Sequence, residues 1–259
     1  MDPSETTAYT PDERSKGNRL AKQTTYDHDL IHTIINEAPI LHVAFNAPYT
    51  SPSPFPTILP MLGAVGHFPA SSKEPSSIYL HGSSVARLFR LTAENDHQPL
   101  PLTISATILD GYVLALAPFH NTCNYRSAVA FGTGTLVTSP EEIEYGLRLI
   151  TNIAMPYRWE TSRSPATQAE IRATGLLKVG IDTASAKVRR GGPSDERADL
   201  RNPDVVGRTW VGVLPTYMVL GEPVQAEHNR VERVPEYLLD WVADVNGGNE
   251  QRAVNAFEG

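Results

Sequence analysis

HNTCNYRSAVAFGTGTLV, residues 120–137, places a histidine, the chain's only cysteine, a tyrosine and an arginine within seven residues, then runs into an apolar, glycine-studded stretch. Successive side chains of an extended strand alternate between faces. Tyr125, Ser127, Val129 and Phe131 therefore share one face, and Arg126, Ala128, Ala130 and Gly132 share the other. The arginine stands in a row of small side chains. Either a flat ligand approaches the sheet there, or a neighbouring element packs closely. Cys123 is alone, so it forms no intramolecular disulfide, and nothing points to an oxidising compartment.

The flanks extend the pattern. PLTISATILDGYVLALAP (101–118) carries Thr, Ile, Val and Tyr around an Asp-Gly pair, a signal for a hairpin turn or a bulge. Downstream, Ser139, Pro140 and Glu142 form a helix start ahead of Ile143, Leu147 and Ile150 on one face. Upstream, Leu30, Ile31, Ile34 and Ile35 recur at helical spacing until Pro39. ILHVAFN (40–46) and TILPMLGAVG (57–66) read as a hairpin around a proline-rich turn, and SSIYLHG (76–82) as a third strand. SSVARLFRLTAE is a second amphipathic helix, and TQAEIRATG a short one before the strand LLKVGID (176–182). Residues 185–204 read as a charged loop, TWVGVLPTYMVLGEPV (209–224) as the last strand or pair, and VPEYLLDWV (234–242) as a tail helix. The expected organisation is a flexible arm (1–25), one domain (26–224) and a tail (225–259). The fold class is mainly β with peripheral helices (α+β), built as an antiparallel barrel.

Composition narrows the function. Of 259 residues, 41% are hydrophobic and 20% charged, as in ordinary soluble globular proteins, and the net charge is −7. That balance argues against nucleic acid or an anionic membrane as the main partner, since both need a cationic face. The N-terminal MDPSETTAYTPDERSKGNR has no apolar core of a signal peptide, so a soluble, cytoplasmic protein is expected.

Motifs for chemistry are few. In YLHGSSVARLFRL, Gly82, two serines and a helix start, with Arg87 beside them, could hold a phosphate or form an ordinary helix cap. His42, His81 and His120 lack zinc-motif spacing, so no metal site is expected. No phosphate-loop, nucleophile-elbow or dinucleotide fingerprint occurs.

In order and spacing, LHVAFN, PTILPMLGAVG, SIYLHGSSVARLFRL, the run from ISATILDGYV to GTGTLV, SPEEIEYGLRLI, SAKVRRGGP and WVGVLP resemble the FMN-binding split-barrel family. Within it the chain resembles the pyridoxamine 5'-phosphate oxidase-related branch that includes nitroimidazole-resistance proteins, over residues 19–217. The resemblance implies a six-stranded antiparallel split β-barrel and a homodimer with FMN at its interface. It implies cofactor contacts from Thr57, Ile58, Leu59, Pro60 and Met61 through their backbone, and from His81, Gly82, Ser83, Arg87, Arg126, Ser127 and Trp210. Lys187 and Arg189 fall at the site edge, and Cys123 and Asn124 join the substrate region.

The implied activity is FMN-dependent oxidoreduction of a small organic molecule, a nitroaromatic or a specialised metabolite, with His81, His120 and Tyr125 as proton donors. Alternatives are a non-catalytic flavin or haem protein, a deazaflavin protein, and an enzyme that reuses the pocket without cofactor. The chain departs from true pyridoxamine phosphate oxidases in lacking their C-terminal arginine and histidine pattern. It also has Ala86 before Arg87 where tight FMN binders have two basic residues.

Overall fold

The chain, seen in a computed structural model, is described over residues 7–19, 21–46, 55–72, 75–94 and 99–258. The first residues of the expected arm and most of the proline-rich turn, 47–54, lie outside these. The elements begin with β1 (Thr24–Thr25), α1 (His28–Glu37), β2 (Leu41–Phe45), β3 (Thr57–Met61), β4 (Gly63–Gly66) and β5 (Ser77–Ser83). Next come α2 (Arg87–Glu94), β6 (Leu100–Leu114), β7 (Thr122–Leu136), α3 (Pro140–Ala154), α4 (Arg158–Thr161) and α5 (Gln168–Ala173). The chain ends with β8 (Thr174–Arg189), α6 (Arg197–Leu200), α7 (Pro203–Arg208), β9 (Gly212–Pro215) and α8 (Glu236–Glu258).

This is a mixed α+β architecture with a large antiparallel sheet of nine strands among the described residues, where six were expected. Two units divide the chain: Met1–Thr107 with Ser127–Lys187, and Ile108–Arg126 with Val188–Gly259. The boundaries of these units fall inside β6, β7 and β8.

In the first unit the strands run in the order β3-β2-β6-β7-β8-β5-β4, with β1 added on β8. The expected hairpin is half right. β3 pairs with β2, Val43 opposite Leu59, but β4 leaves that strand to pair with β5, Ala64 opposite Tyr79. Ala64, Tyr79, Val137, Ile150 and Leu176 form a buried apolar cluster, and α3 packs Ile143, Leu147 and Leu149 against it. Ser139 caps α3 by accepting from the Glu142 N–H, as its sequence implies. The Tyr79 hydroxyl donates to Glu142 at 2.7 Å, which satisfies the one polar atom of a fully buried ring. On α1, Ile31, Ile34 and Ile35 are buried.

The described residues of the expected arm, 7–19 and 21–25, are placed against the rest of the first unit. Tyr9 and Ser15 are buried, Ala8 bridges to Asp27, and Thr24 pairs with Lys187.

In the second unit, the Asp-Gly pair is not a turn. β6 continues through Asp110 and Gly111, and β9 pairs beside it with Gly111 opposite Pro215. A Cβ on Gly111 would lie 2.9 Å from the Leu214 carbonyl oxygen, so glycine permits this approach. Nor is 185–204 one loop: β8 extends to Arg189, and α6 lies within it. The tail helix is much longer than the apolar run at 234–242, 23 residues in α8. Among the described residues no helix is long and apolar enough to cross a membrane.

Candidate functional site

Alternation along β7 buries Ala128, Ala130, Gly132 and Gly134 and leaves Ser127, Val129 and Phe131 half-exposed. Beside them on β8 stand Ser185 and Lys187, and residues 14–19 cross this face. The crossing segment is fastened by the Ser15 hydroxyl at 2.7 Å from the Thr183 hydroxyl, which itself donates to the Thr10 carbonyl at 2.9 Å. The Lys187 ammonium donates to the Arg19 carbonyl, and the Ser127 hydroxyl to the Lys187 carbonyl.

Between segment and sheet lies a cavity of about 460 Å³, a volume typical of small-molecule sites. Arg14, Lys16, Arg19 and Lys187 surround it. Arg14 is bound to Asp12 at 2.6 Å and lies over the Phe131 ring at 5.6 Å. Its hydrogen bond holds the Asp12 carboxyl below the usual range. No carboxylate among the described residues pairs with Lys16, Arg19 or Lys187. Three unpaired cations, nearby hydroxyls of Ser127, Ser185 and Thr24, and the apolar Val129 and Phe131 suit an anion joined to a flat apolar group. Ser127 and Lys187 are thus brought together. Arg14, Lys16, Arg19 and Phe131 were missed, although DERSKGNR sets three cations within six residues.

The remaining candidates of the first unit lie on other elements. Thr57–Met61 form β3, at one end of the strand order, where one backbone edge has no strand partner among the described residues. His81, Gly82 and Ser83 end β5. Burial lowers the pKa of His81, so its imidazole is neutral near pH 7, and it has no hydrogen bond among the described residues. Gly82 makes room for Phe89, whose ring would lie 2.7 Å from an added Cβ. Ser84, one of the two proposed caps, instead donates to the Arg172 carbonyl at 3.0 Å. Arg87 is exposed at the first turn of α2.

In the second unit the polar cluster of the opening stretch is largely consumed by structure. Arg126 grips Asp110 with Nε at 3.0 Å and Nη2 at 2.9 Å from its oxygens, both side chains nearly buried. Fully buried Asn124 donates to the carbonyls of Gly191 and Ala256 and accepts from Arg189. Arg189 also donates to the carbonyls of Gly191 and Gly192. His120 has Nε2 4.0 Å from Glu196, and its Nδ1 is buried without a hydrogen-bond partner among the described residues. Cys123 is a half-buried free thiol, Tyr125 is half-buried, and Trp210 is exposed. Among the described residues no His, Cys, Asp and Glu cluster is suited to a metal ion.

A family model described as Pyridoxamine 5'-phosphate oxidase matches residues 27–188. Among solved structures, the chain is similar to the flavocytochrome Anf3 from Azotobacter vinelandii, with 27% identity and a TM-score of 0.72 over 90% of this chain and 98% of that one. It is similar to an FAD and haem binding protein from Mycobacterium smegmatis, with 25% identity and a TM-score of 0.68 over 85% and 97%. A Bacteroides thetaiotaomicron protein assigned to 5-nitroimidazole antibiotic resistance is a more distant neighbour, with 19% identity and a TM-score of 0.47 over 64% and 86%. No curated protein matches the sequence.

Proposed function

The chain belongs to the pyridoxamine 5'-phosphate oxidase family, whose match and structural neighbours imply the split-barrel fold, and we propose that it is a redox protein holding a flavin and a haem. The observation that carries the flavin assignment is the cationic cavity: Lys16, Arg19 and Lys187, unpaired by any carboxylate among the described residues, in a chain of net charge −7. The three cations suit the doubly charged phosphate group of a flavin nucleotide, and likeness to the mycobacterial FAD and haem binding protein favours FAD. Val129 and Phe131 supply apolar walls beside them.

The haem assignment draws on likeness to the Azotobacter flavocytochrome and the mycobacterial FAD and haem binding protein, which runs well beyond residues 27–188. Within the chain, His81 fits an axial ligand because a neutral imidazole without a hydrogen-bond partner among the described residues has a lone pair to give. When bound, a flavin supplies hydride and single-electron chemistry and a haem supplies single-electron chemistry. The lysines and arginine bind and neutralise the anion, and the segment 14–19 forms one wall of the site. A small organic molecule is the proposed substrate, and a homodimer the proposed assembly, which light scattering tests.

Purified protein should show flavin and Soret absorbance together, with FAD as the flavin released on denaturation. Losing one charge-assisted contact costs about 1.5–3 kcal/mol, so Lys187→Met should weaken flavin binding roughly 10- to 100-fold. His81→Ala should remove the Soret band and leave the flavin. Undiminished flavin binding by a Lys16→Met/Lys187→Met variant would show that the cavity is not the flavin site. A protein with no Soret absorbance after haem supplementation would remove the haem.

A further inference from the structure

A second cavity of the first unit, about 300 Å³, lies among α3, α4 and α5, on residues that the flavin cavity does not use. Ile143, Leu147, Trp159 and Ile171 give it apolar walls, with Glu144 and Gln168 as polar members. Its walls are braced independently of any ligand. Glu160 of α4 is held by Arg148 at 2.8 Å and by Asn152, whose carbonyl oxygen accepts the Trp159 N–H at 3.0 Å. Glu170 of α5 is bound to Arg163 and closes a capping box with Thr167.

The charges around this cavity are unequal. The carboxylates of Glu160 and Glu170 are matched by arginines, whereas Glu144, an exposed residue that lines the cavity, has no ion pair or hydrogen bond among the described residues. An apolar cavity bearing one unmatched carboxylate and an indole complements an organic cation, whose charge meets the carboxylate and the ring face while its body fills the apolar space. Its volume lies at the lower end of the range of small-molecule sites, enough for one ring and a short chain. We propose that this cavity binds a small amphiphilic amine through Glu144 and Trp159.

Titration calorimetry on the full-length protein as purified, at pH 7.5, tests it with 2-phenylethylammonium, 3-phenylpropanol and 3-phenylpropionate. Saturable one-site binding of the amine is expected, at least tenfold weaker binding of the alcohol, and none of the acid. Glu144→Gln should weaken the amine at least tenfold and leave the alcohol unchanged, which shows the cavity intact. Trp159→Leu should weaken both. Absence of saturable amine binding, equal binding of all three probes, or an unchanged amine affinity in Glu144→Gln overturns the proposal. Flavin content, measured on the same samples, is expected to be unaffected by either variant.

Discussion

Asp110→Ala tests whether Arg126 is a brace or a cofactor contact. The guanidinium and carboxylate meet through two short hydrogen bonds, and the side chains are only 11% and 5% exposed. Deleting the carboxylate leaves a cation where little water can reach it, which costs about 3–5 kcal/mol in comparable buried pairs. For a chain of this size each kcal/mol moves the melting temperature by about 2–4 °C, so a fall on the order of 10 °C is expected. Replacing both partners removes the stranded charge. Asp110→Leu/Arg126→Met should therefore melt close to the parent, because apolar groups of similar volume often replace a buried pair at little cost. The assay is calorimetry on both variants and the parent, with bound flavin quantified in each. A fall below about 3 °C for Asp110→Ala, or a double variant no more stable than the single one, would refute the stranded-charge reasoning. A double variant that keeps its melting temperature but loses flavin would make Arg126 a cofactor residue.

Other predictions follow from particular contacts. Gly132→Ala would press a methyl group into the Gly180 carbonyl oxygen, forcing β7 and β8 apart, and should lower stability by about 1–3 kcal/mol in urea unfolding. Gly180→Ala, which meets nothing within 4 Å, should be close to neutral in the same measurement. Ser139→Ala removes the hydroxyl that accepts from the Glu142 N–H and should cost about 1 kcal/mol of stability, measured by the shift of the urea midpoint. Burial holds His32 and His81 below the ordinary histidine value, so the unfolded chain binds more protons than the folded one below about pH 6.5. Their contribution is complete above that pH and is lost as pH falls through the folded values. His32→Gln should therefore flatten the acid limb of a stability–pH profile. Burial pushes Tyr9 up to about 12, which reverses the sense: its contribution holds below about pH 10 and is lost as pH rises toward 12. Tyr9→Phe should flatten the alkaline limb.

Local signals in the sequence determined local structure. The apolar spacing of Ile31, Ile34 and Ile35 suffices for α1, and Ser139, Pro140 and Glu142 for the start of α3, because their partners lie within a turn or two. Alternation from Ser127 to Gly134 assigns each side chain of β7 to its face. The ordered set of fragments was enough to identify the family. Tertiary structure decided what the polar side chains do. Asp110 reads as a turn residue until Arg126 is seen to grip it, and Gly111 until β9 lies beside it. Asn124 reads as part of a substrate region, yet its amide is used 132 residues away at Ala256. Arg14, Lys16 and Arg19 read as a solvated arm, and become one wall of a cavity when their segment meets Lys187 across the sheet. Periodicity records which face of an element is apolar. A polar group's role depends on which distant partner neutralises it, and that is settled only when the chain closes.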